Sequence, residues 1–441
     1  MPRRCLLVFL LLVLAMEAGY VALWRLGDLQ LYVVEYLAVS FAISIFYIVS
    51  VWWTTSGRGN IPLAWIFAAG MVFRLTLLAS SPSLTEDPHR YRWEGKLQAA
   101  GGNPYSARPA DPQWAGLRDR TWDRVNRKEL PTVYGPLTVL LHRLTYAIAS
   151  RLTGDEFLQV WLFKIPYVLF DLATLVPLAA LLGRLGLPPA SAVVYFWSPL
   201  VVVEFWASGH NDSPVVFFLT VALWAASAAR WSWAAGALWL ATLAKLWPIL
   251  LFPLFLWSGG RRELRSRLAR AAAFAPLAAA ICWPFLDGAR DLARMVTGFA
   301  GGWGNNASLF HVIFAAAGRD FETTRPLAAA LLVGVALLIG WRRPALPAGA
   351  LWLIAAMLLL SANCFPWYLI WLLPALAVRP DPALLLWTAV APLAYHVLID
   401  YGAAGRWMED PLYLCLEYVP VYGFLIANLA RTVIMRKRST P

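Results

Sequence analysis

Residues 62–95 read PLAWIFAAGMVFRLTLLASSPSLTEDPHRYRWEG, and this stretch decides the class of fold. Its first part, about 62–80, is an apolar run of the length that crosses a hydrocarbon layer as a helix. Its second part crowds Glu86, Asp87, His89, Arg90, Arg92 and Glu94 into one short segment. Charge is expensive at a bilayer, so a dense polar segment directly after a spanning helix belongs at a membrane face and invites a functional reading.

Outward from this stretch the apolar pattern repeats along the chain. Of 441 residues, 60% are hydrophobic and 14% charged, with 24 Trp; an ordinary soluble domain carries roughly 25% charge. No soluble core hides that much apolar side chain behind so little charge. The same numbers exclude disorder, collagen, coiled coil and a disulfide scaffold. Spans are expected at about 5–24, 31–54, 62–80, 160–183, 190–207, 213–229, 271–286, 324–341, 347–364, 366–378, 383–400 and 412–433. Residues 135–153 carry His142, Arg143 and Arg151 and read as a partly inserted segment or short hairpin. Residues 233–257 are interrupted by Lys245-Leu246-Trp247-Pro248 and read as two short helices that turn within the membrane. Such a turn is tolerated only where protein or a cavity satisfies the backbone. The expectation is an all-α polytopic membrane protein of about twelve to fourteen transmembrane or re-entrant helices, one domain over 1–441, without a soluble domain, repeat or low-complexity tract.

The net charge of +12 would suggest nucleic acid in a soluble chain. Here the basic residues sit between apolar runs, at Arg184, Arg230, Arg261 to Arg270, Arg342-Arg343, Arg379 and Arg436-Lys437-Arg438. That is the positive-inside pattern, so these flanks are expected in the cytoplasm and no nucleic-acid partner is expected. Arg3-Arg4 ahead of Cys5 to Met16 reads as a retained first span with a cytoplasmic N-terminus; the region near Ala18 is a poor site for signal-peptide cleavage. By parity both termini are cytoplasmic, and the large loop 81–134 after the third helix is extracytoplasmic. Its nine Lys or Arg and seven Asp or Glu do not contradict this, because long loops largely escape the rule. The four cysteines (Cys5, Cys282, Cys364, Cys415) lie in or beside apolar runs without metal or redox spacing and read as packing residues.

The polar motifs follow a fixed order. The loop reads Glu86-Asp87-Pro88-His89-Arg90-Tyr91-Arg92-Trp93-Glu94-Gly95, then Gln98-Ala99-Ala100-Gly101-Gly102-Asn103-Pro104-Tyr105, then Tyr134-Gly135-Pro136. Downstream come Phe163-Lys164 with Asp171, Gly209-His210-Asn211-Asp212, Lys245-Leu246-Trp247-Pro248 and Phe365-Pro366-Trp367-Tyr368. In this order and membrane placement the chain resembles the C-fold (GT-C) glycosyltransferases that use polyprenyl-phosphate sugars. In particular it resembles the bacterial mannosyltransferase-like group related to the enzyme that adds the first mannose to glycosylphosphatidylinositol. The likeness covers about 85–375. Two positions depart from the pattern: Glu86 stands where it has Asp, and Glu94 replaces a later Asp. Both keep a carboxylate and leave open which one is the base.

The resemblance implies an inverting enzyme of the inner (cytoplasmic) membrane, working on its outer face, with the loop 81–134 as catalytic loop. It would move a sugar, mannose by resemblance, from a polyprenyl phosphate to a glycan or lipid acceptor hydroxyl. Such a transfer gives the anomeric carbon oxocarbenium character. It needs a base for the acceptor proton and positive charge for the departing phosphate. Asp87 is the expected base and Glu86 its alternative or orienting neighbour, against a plain helix cap for Asp87. Lys245 and Arg90 are assigned to the donor phosphate; the bland readings are an ion pair of Lys245 with Glu204 or Asp212, and a loop carboxylate partner for Arg90. His89, Tyr91, Tyr105, Tyr134, His210, Asn211, Asp212, Trp367 and Tyr368 are expected at the substrates. No cofactor is expected; Asp and His are metal ligands and leave a divalent metal open, but their spacing has no strong metal signature and none is assigned.

Lys164 and Asp171 read as braces between helices, and Glu204, Asp400 and Glu417 are the other charges within apolar runs. Asn306-Ala307-Ser308 matches a glycosylation sequon by chance. Residues 287–323, with Asp287, Arg290, Asp291 and Arg294, read as an amphipathic helix that gates substrate entry. The alternative class is a glycolipid transporter or flippase, which would line a pathway with charge and show inverted repeats. No repeat is visible, and the polar motifs gather on one face. A scaffold in an envelope-polymer assembly leaves the loop chemistry unused.

Overall fold

The computed structural model describes residues 3–59, 61–258, 261–288, 290 and 304–439. Asp291 and Arg294 of the expected gating segment lie outside these residues. Among the described residues the secondary structure is helical, apart from an isolated bridge between Asn305 and Asn363. Helices α1 (Arg3–Leu26), α2 (Val33–Thr55) and α3 (Leu63–Leu78) pack on one another. The polar segment then forms α4 (Asp87–Ala99), which lies along α5 (Pro136–Leu152). Next come α6 (Glu156–Leu162) and α7 (Ile165–Arg184), which together make one span.

Seven helices among the described residues are long and apolar enough to cross a membrane. Pro189–Phe196 and Pro199–Ala207 form a further span bent by 51°, where Ser198 ahead of Pro199 is pushed out of helical geometry. Shorter apolar helices at Leu63–Leu78, Ser213–Ser227, Trp247–Trp257, Leu346–Leu359 and Pro366–Val378 complete the set. The protein is an all-α polytopic membrane protein of the expected helix number.

Burial sorts the spans. The Pro382–Gly402 span is 78% buried, whereas Phe321–Arg342 and Pro411–Ala430 are 17% buried. The first is a central post and the others are peripheral. Peripheral helices turn large apolar side chains outward, such as Leu11, Val176 and Leu337, because lipid solvates them as well as a core does. Prolines in the first turn start many helices, where the missing N–H has no partner to lose. Asp155 and Asp381 cap their helices by accepting two backbone N–H bonds each.

The two broken segments resolve differently. Residues 231–257 are two helices, Trp231–Ala244 and Trp247–Trp257, with Lys245 extended between them (φ −153°, ψ 133°). Residues 136–152 are one continuous helix rather than a hairpin. It buries Val139 and His142 against α4 and turns Leu144, Ile148 and Leu152 outward. Gly95 makes this contact close: a Cβ there would sit 2.5 Å from the His142 carbonyl oxygen.

Charges inside the bundle are paired. Arg74 of α3 donates from Nε to Asp171 Oδ2 at 2.8 Å, both side chains fully buried. Tyr195 and Trp206 donate to the same carboxylate, each at 2.7 Å. Lys164 donates to the carbonyls of Leu78 and Ser80 at 2.8 Å each and so closes the C-terminus of α3, where a cation complements the helix dipole. These contacts fix the end of α3 from which the polar loop departs. The Asn306 side chain is buried and donates to the Cys364 carbonyl and to Glu417, so the sequon presents no free amide.

Candidate active site

Pro88 in the first turn of α4 starts the helix and leaves the Asp87 side chain free of a capping bond. Its oxygens are taken from elsewhere. Asn126 donates to Oδ1 at 2.7 Å, the Tyr91 hydroxyl donates to Oδ2 at 3.2 Å, and His210 Nδ1 lies 3.5 Å from Oδ2. Burial pushes the Asp87 carboxyl up, but the His210 ring, the Asn126 amide and the Tyr91 hydroxyl outweigh it and hold it below its ordinary value. Glu86 goes the other way: burial and the neighbouring Asp87 charge raise its carboxyl against the pull of Lys128 and Arg124. The two adjacent carboxyls are thus pushed apart, Asp87 down and Glu86 up, and Asp87 holds its charge to the lower pH. A reaction that needs ionised Asp87 should keep its rate as pH falls through the ordinary aspartate range and lose it only below that. A pH profile of kcat/KM whose acid limb sits at or above ordinary aspartate values would contradict this.

Arg90 spends its donors on the loop. It donates to Glu94 Oε1 at 2.9 Å and to the carbonyls of Arg127 and Leu130 at 3.0 and 2.8 Å, stapling that loop to α4. Glu94 also meets His142 Nδ1 at 3.1 Å. Burial raises its carboxyl, and His142 and Arg90 together bring it below its ordinary value.

The second pole of the site is Lys245, aimed by the break between its two helices. Its ammonium donates to Asp212 Oδ1 at 2.6 Å, and the Trp371 indole donates to the same oxygen at 2.8 Å. The ammonium also lies 4.7 Å from the Tyr368 ring centre and 5.1 Å from that of Trp371. Of the two carboxylates considered for Lys245, Asp212 holds it and Glu204 does not. Glu204 Oε2 instead lies 3.3 Å from His210 Nε2.

Asp87 and Lys245 line one cavity of about 1090 Å³. The polar loop contributes Glu86, Arg90, Asn126, Arg127 and Tyr134 to its wall, and Asn211 lines it as well. Trp367, Tyr368, Trp371 and Tyr395 form the aromatic side. Phe310, Ala328, Leu332, Met357 and Leu358 add apolar lining to the same cavity, with Arg325 also among its residues. Other expected site residues lie behind this wall. Tyr91 is buried and reaches Asp87 only through its hydroxyl. His210 and Asp212 are buried beneath Trp367 and Lys245. Tyr105 donates to the Tyr134 carbonyl at 2.8 Å and packs on Phe285. His89 lines a separate hollow of about 270 Å³ with Gln30, Ser83, Glu86 and Arg124; burial, with Arg124 and Arg92 nearby, pushes its imidazole down to about 4. Asn126, Arg127, Trp371 and Tyr395 belong to the site without having been expected there. Asn126 and Arg127 sit in a loop stretch without a motif, and the two aromatics sit inside apolar runs. Among the described residues no group of three or more His, Cys, Asp or Glu is arranged to hold a metal.

A polytopic helical bundle with a carboxylate and an ammonium facing one large cavity is the architecture of a GT-C-like membrane glycosyltransferase. A family model described as alpha-(1->6)-mannopyranosyltransferase, N-terminal domain, matches residues 9–260, and the chain belongs to this family. It is a glycosyltransferase acting on mannose. No curated protein matches the chain.

Proposed function

We propose that the protein moves mannose from a polyprenyl-phosphate donor to an acceptor hydroxyl on a glycan or lipid, with inversion, on the outer face of the cytoplasmic membrane. The observation that carries this reading is the shared cavity, lined by both Asp87 and Lys245 and otherwise largely by apolar and aromatic side chains. In this reading Asp87 takes the acceptor proton as the acceptor oxygen attacks the anomeric carbon. The bond from that carbon to the phosphate oxygen breaks, its electron pair stays with the phosphate, and Lys245 stabilises the charge. The apolar lining around Phe310, Leu332 and Met357 takes the isoprenoid chain. The family description names an alpha-(1->6) linkage, which supports a primary hydroxyl on C6 as the acceptor.

An ammonium has three donors, and Asp212 accepts one of those of Lys245. The others remain for a phosphate. Lys245→Ala is expected to weaken donor binding about 10- to 100-fold, the equivalent of one charge-assisted hydrogen bond. Unchanged donor affinity in the folded variant removes Lys245 from the phosphate site. The enzyme class is tested by offering the purified protein in nanodiscs polyprenyl-phosphate mannose, glucose and arabinose with a panel of acceptors. Transfer from the mannose donor is expected; flipping of the lipid without transfer would point to the transporter class.

A further inference from the structure

His210 is buried between two carboxylates, and each ring nitrogen faces one of them without lining the cavity. Its Nδ1 lies 3.5 Å from Asp87 Oδ2 and its Nε2 lies 3.3 Å from Glu204 Oε2. One ring face is covered by Trp367, stacked at 3.8 Å. Three backbone features build this arrangement. The turn Val202–Ala207 is a π-helix, a form that recurs at functional positions. Gly209 has φ +76°, and a Cβ there would sit 2.8 Å from Lys164 Cγ. The His210 N–H then donates to the Glu204 carbonyl at 2.9 Å, so ring and carboxylate are held by the same turn. The Tyr395 hydroxyl fixes Glu204 from the central post, at 2.9 and 3.1 Å from its two oxygens.

We propose that His210, anchored by Glu204, is a positioning residue that sets the orientation and acidity of the Asp87 carboxylate. The inference rests on Asp87 being the base. Asn126 and Tyr91 set two directions at that carboxylate, and His210 supplies the third from beneath. The remaining lone-pair direction faces the cavity, where an acceptor hydroxyl arrives. Glu204 does not touch the cavity; it acts through the ring. The other charged or titratable groups around this chain, among the described residues, include Glu86, Arg127, Tyr134, Tyr368, Tyr395 and Asp212, with Tyr36 facing Glu204 and Tyr167 facing Asp87. All of them stay in place in the variants below.

The test is the pH profile of mannosyl transfer by the full chain in nanodiscs, for His210→Gln, Glu204→Gln and Asp87→Asn beside the parent. Removing an opposing group at this range raises a carboxyl by about one to three units. The acid limb of kcat/KM in His210→Gln is therefore expected to move up by about that much, with kcat reduced and donor KM within about twofold. Glu204→Gln should move the limb the same way by less. A purely structural histidine lowers the folded yield without moving the limb, so a stationary limb in folded His210→Gln overturns the proposal. Loss through donor KM alone also overturns it and returns the ring to substrate binding. If His210→Gln does not fold, Glu204→Gln decides: a stationary limb there overturns the proposal. Turnover surviving in Asp87→Asn instead means that the reading of the base has failed. An inactive Asp87→Asn with unmoved limbs in the other two variants means that only the positioning role has failed.

Discussion

Asp87→Asn is expected to lower kcat by about 10²–10⁴-fold, the contribution typical of a general base, with donor affinity and folded yield retained. Asn has nearly the same shape, so the Asn126 amide still finds an oxygen acceptor at Oδ1. The change falls on the other atom, where an amide nitrogen would meet the Tyr91 hydroxyl and the His210 ring. The hydroxyl can rotate to accept, so the local network survives while the basic lone pair is gone. Binding of the donor, measured separately by its protection of the protein in a thermal melt, should stay within about twofold, because the phosphate is assigned to Lys245. A collapse of donor binding together with kcat would mean that Asp87 holds the donor. Full turnover in the variant would move the base to Glu86, whose carboxyl is raised by burial and lies one residue away.

The largest effect on stability is expected at Arg74. In Arg74→Met, Asp171 keeps its Tyr195 and Trp206 partners but loses its only cation among the described residues, at zero exposure. Breaking one half of a buried ion pair costs about 3–5 kcal/mol, a large part of the roughly 5–15 kcal/mol that holds a typical domain folded. The guanidinium also bonds the Gly70 and Phe196 carbonyls and lies over the Phe196 ring at 3.8 Å, so α3 loses its grip on the bent span. That span carries Glu204 and, through the following turn, His210. Folded yield in detergent and Tm should both fall. The double variant Arg74→Met with Asp171→Asn should regain part of the loss, since it removes the unpaired buried charge while the amide oxygen still accepts from one of the Tyr195 and Trp206 donors. A single variant with parental Tm would show that the pair contributes nothing to stability.

Hydropathy made the spans legible because it is a local property: each run carries its own signal in its own residues. The break at Lys245 was legible for the same reason, since a lysine beside a proline contradicts an apolar run. Helix 136–152 was less legible because its one-sided pattern suits a surface helix as well as a short inserted turn, and only the close approach at Gly95 decides between them. Arg74 stayed hidden inside the run 62–80, whose apolar neighbours dominate any average. At the site, Asp87, Asp212 and Lys245 stand out as charges where charge is costly. Asn126, Trp371 and Tyr395 do not, being ordinary residues of a loop and of apolar helices. Their role comes from tertiary packing alone: the Tyr395 hydroxyl meets Glu204 across 191 positions of sequence, and the Trp371 indole meets Asp212 across 159.

Those long separations have a consequence for how the protein is made. A ribosome releases Asp87, His210 and Lys245 into the membrane well before Trp371 and Tyr395 exist. Until the Pro382–Gly402 post emerges, Glu204 lacks its hydroxyl partner and the aromatic side of the cavity lacks Tyr395. A nascent chain stalled between Lys245 and Trp367 therefore holds the acidic and basic groups of the chemistry without the aromatic side of the enclosure. Maturation should be an all-or-none event late in synthesis, with the polar groups of the early helices needing shelter from lipid in the interval.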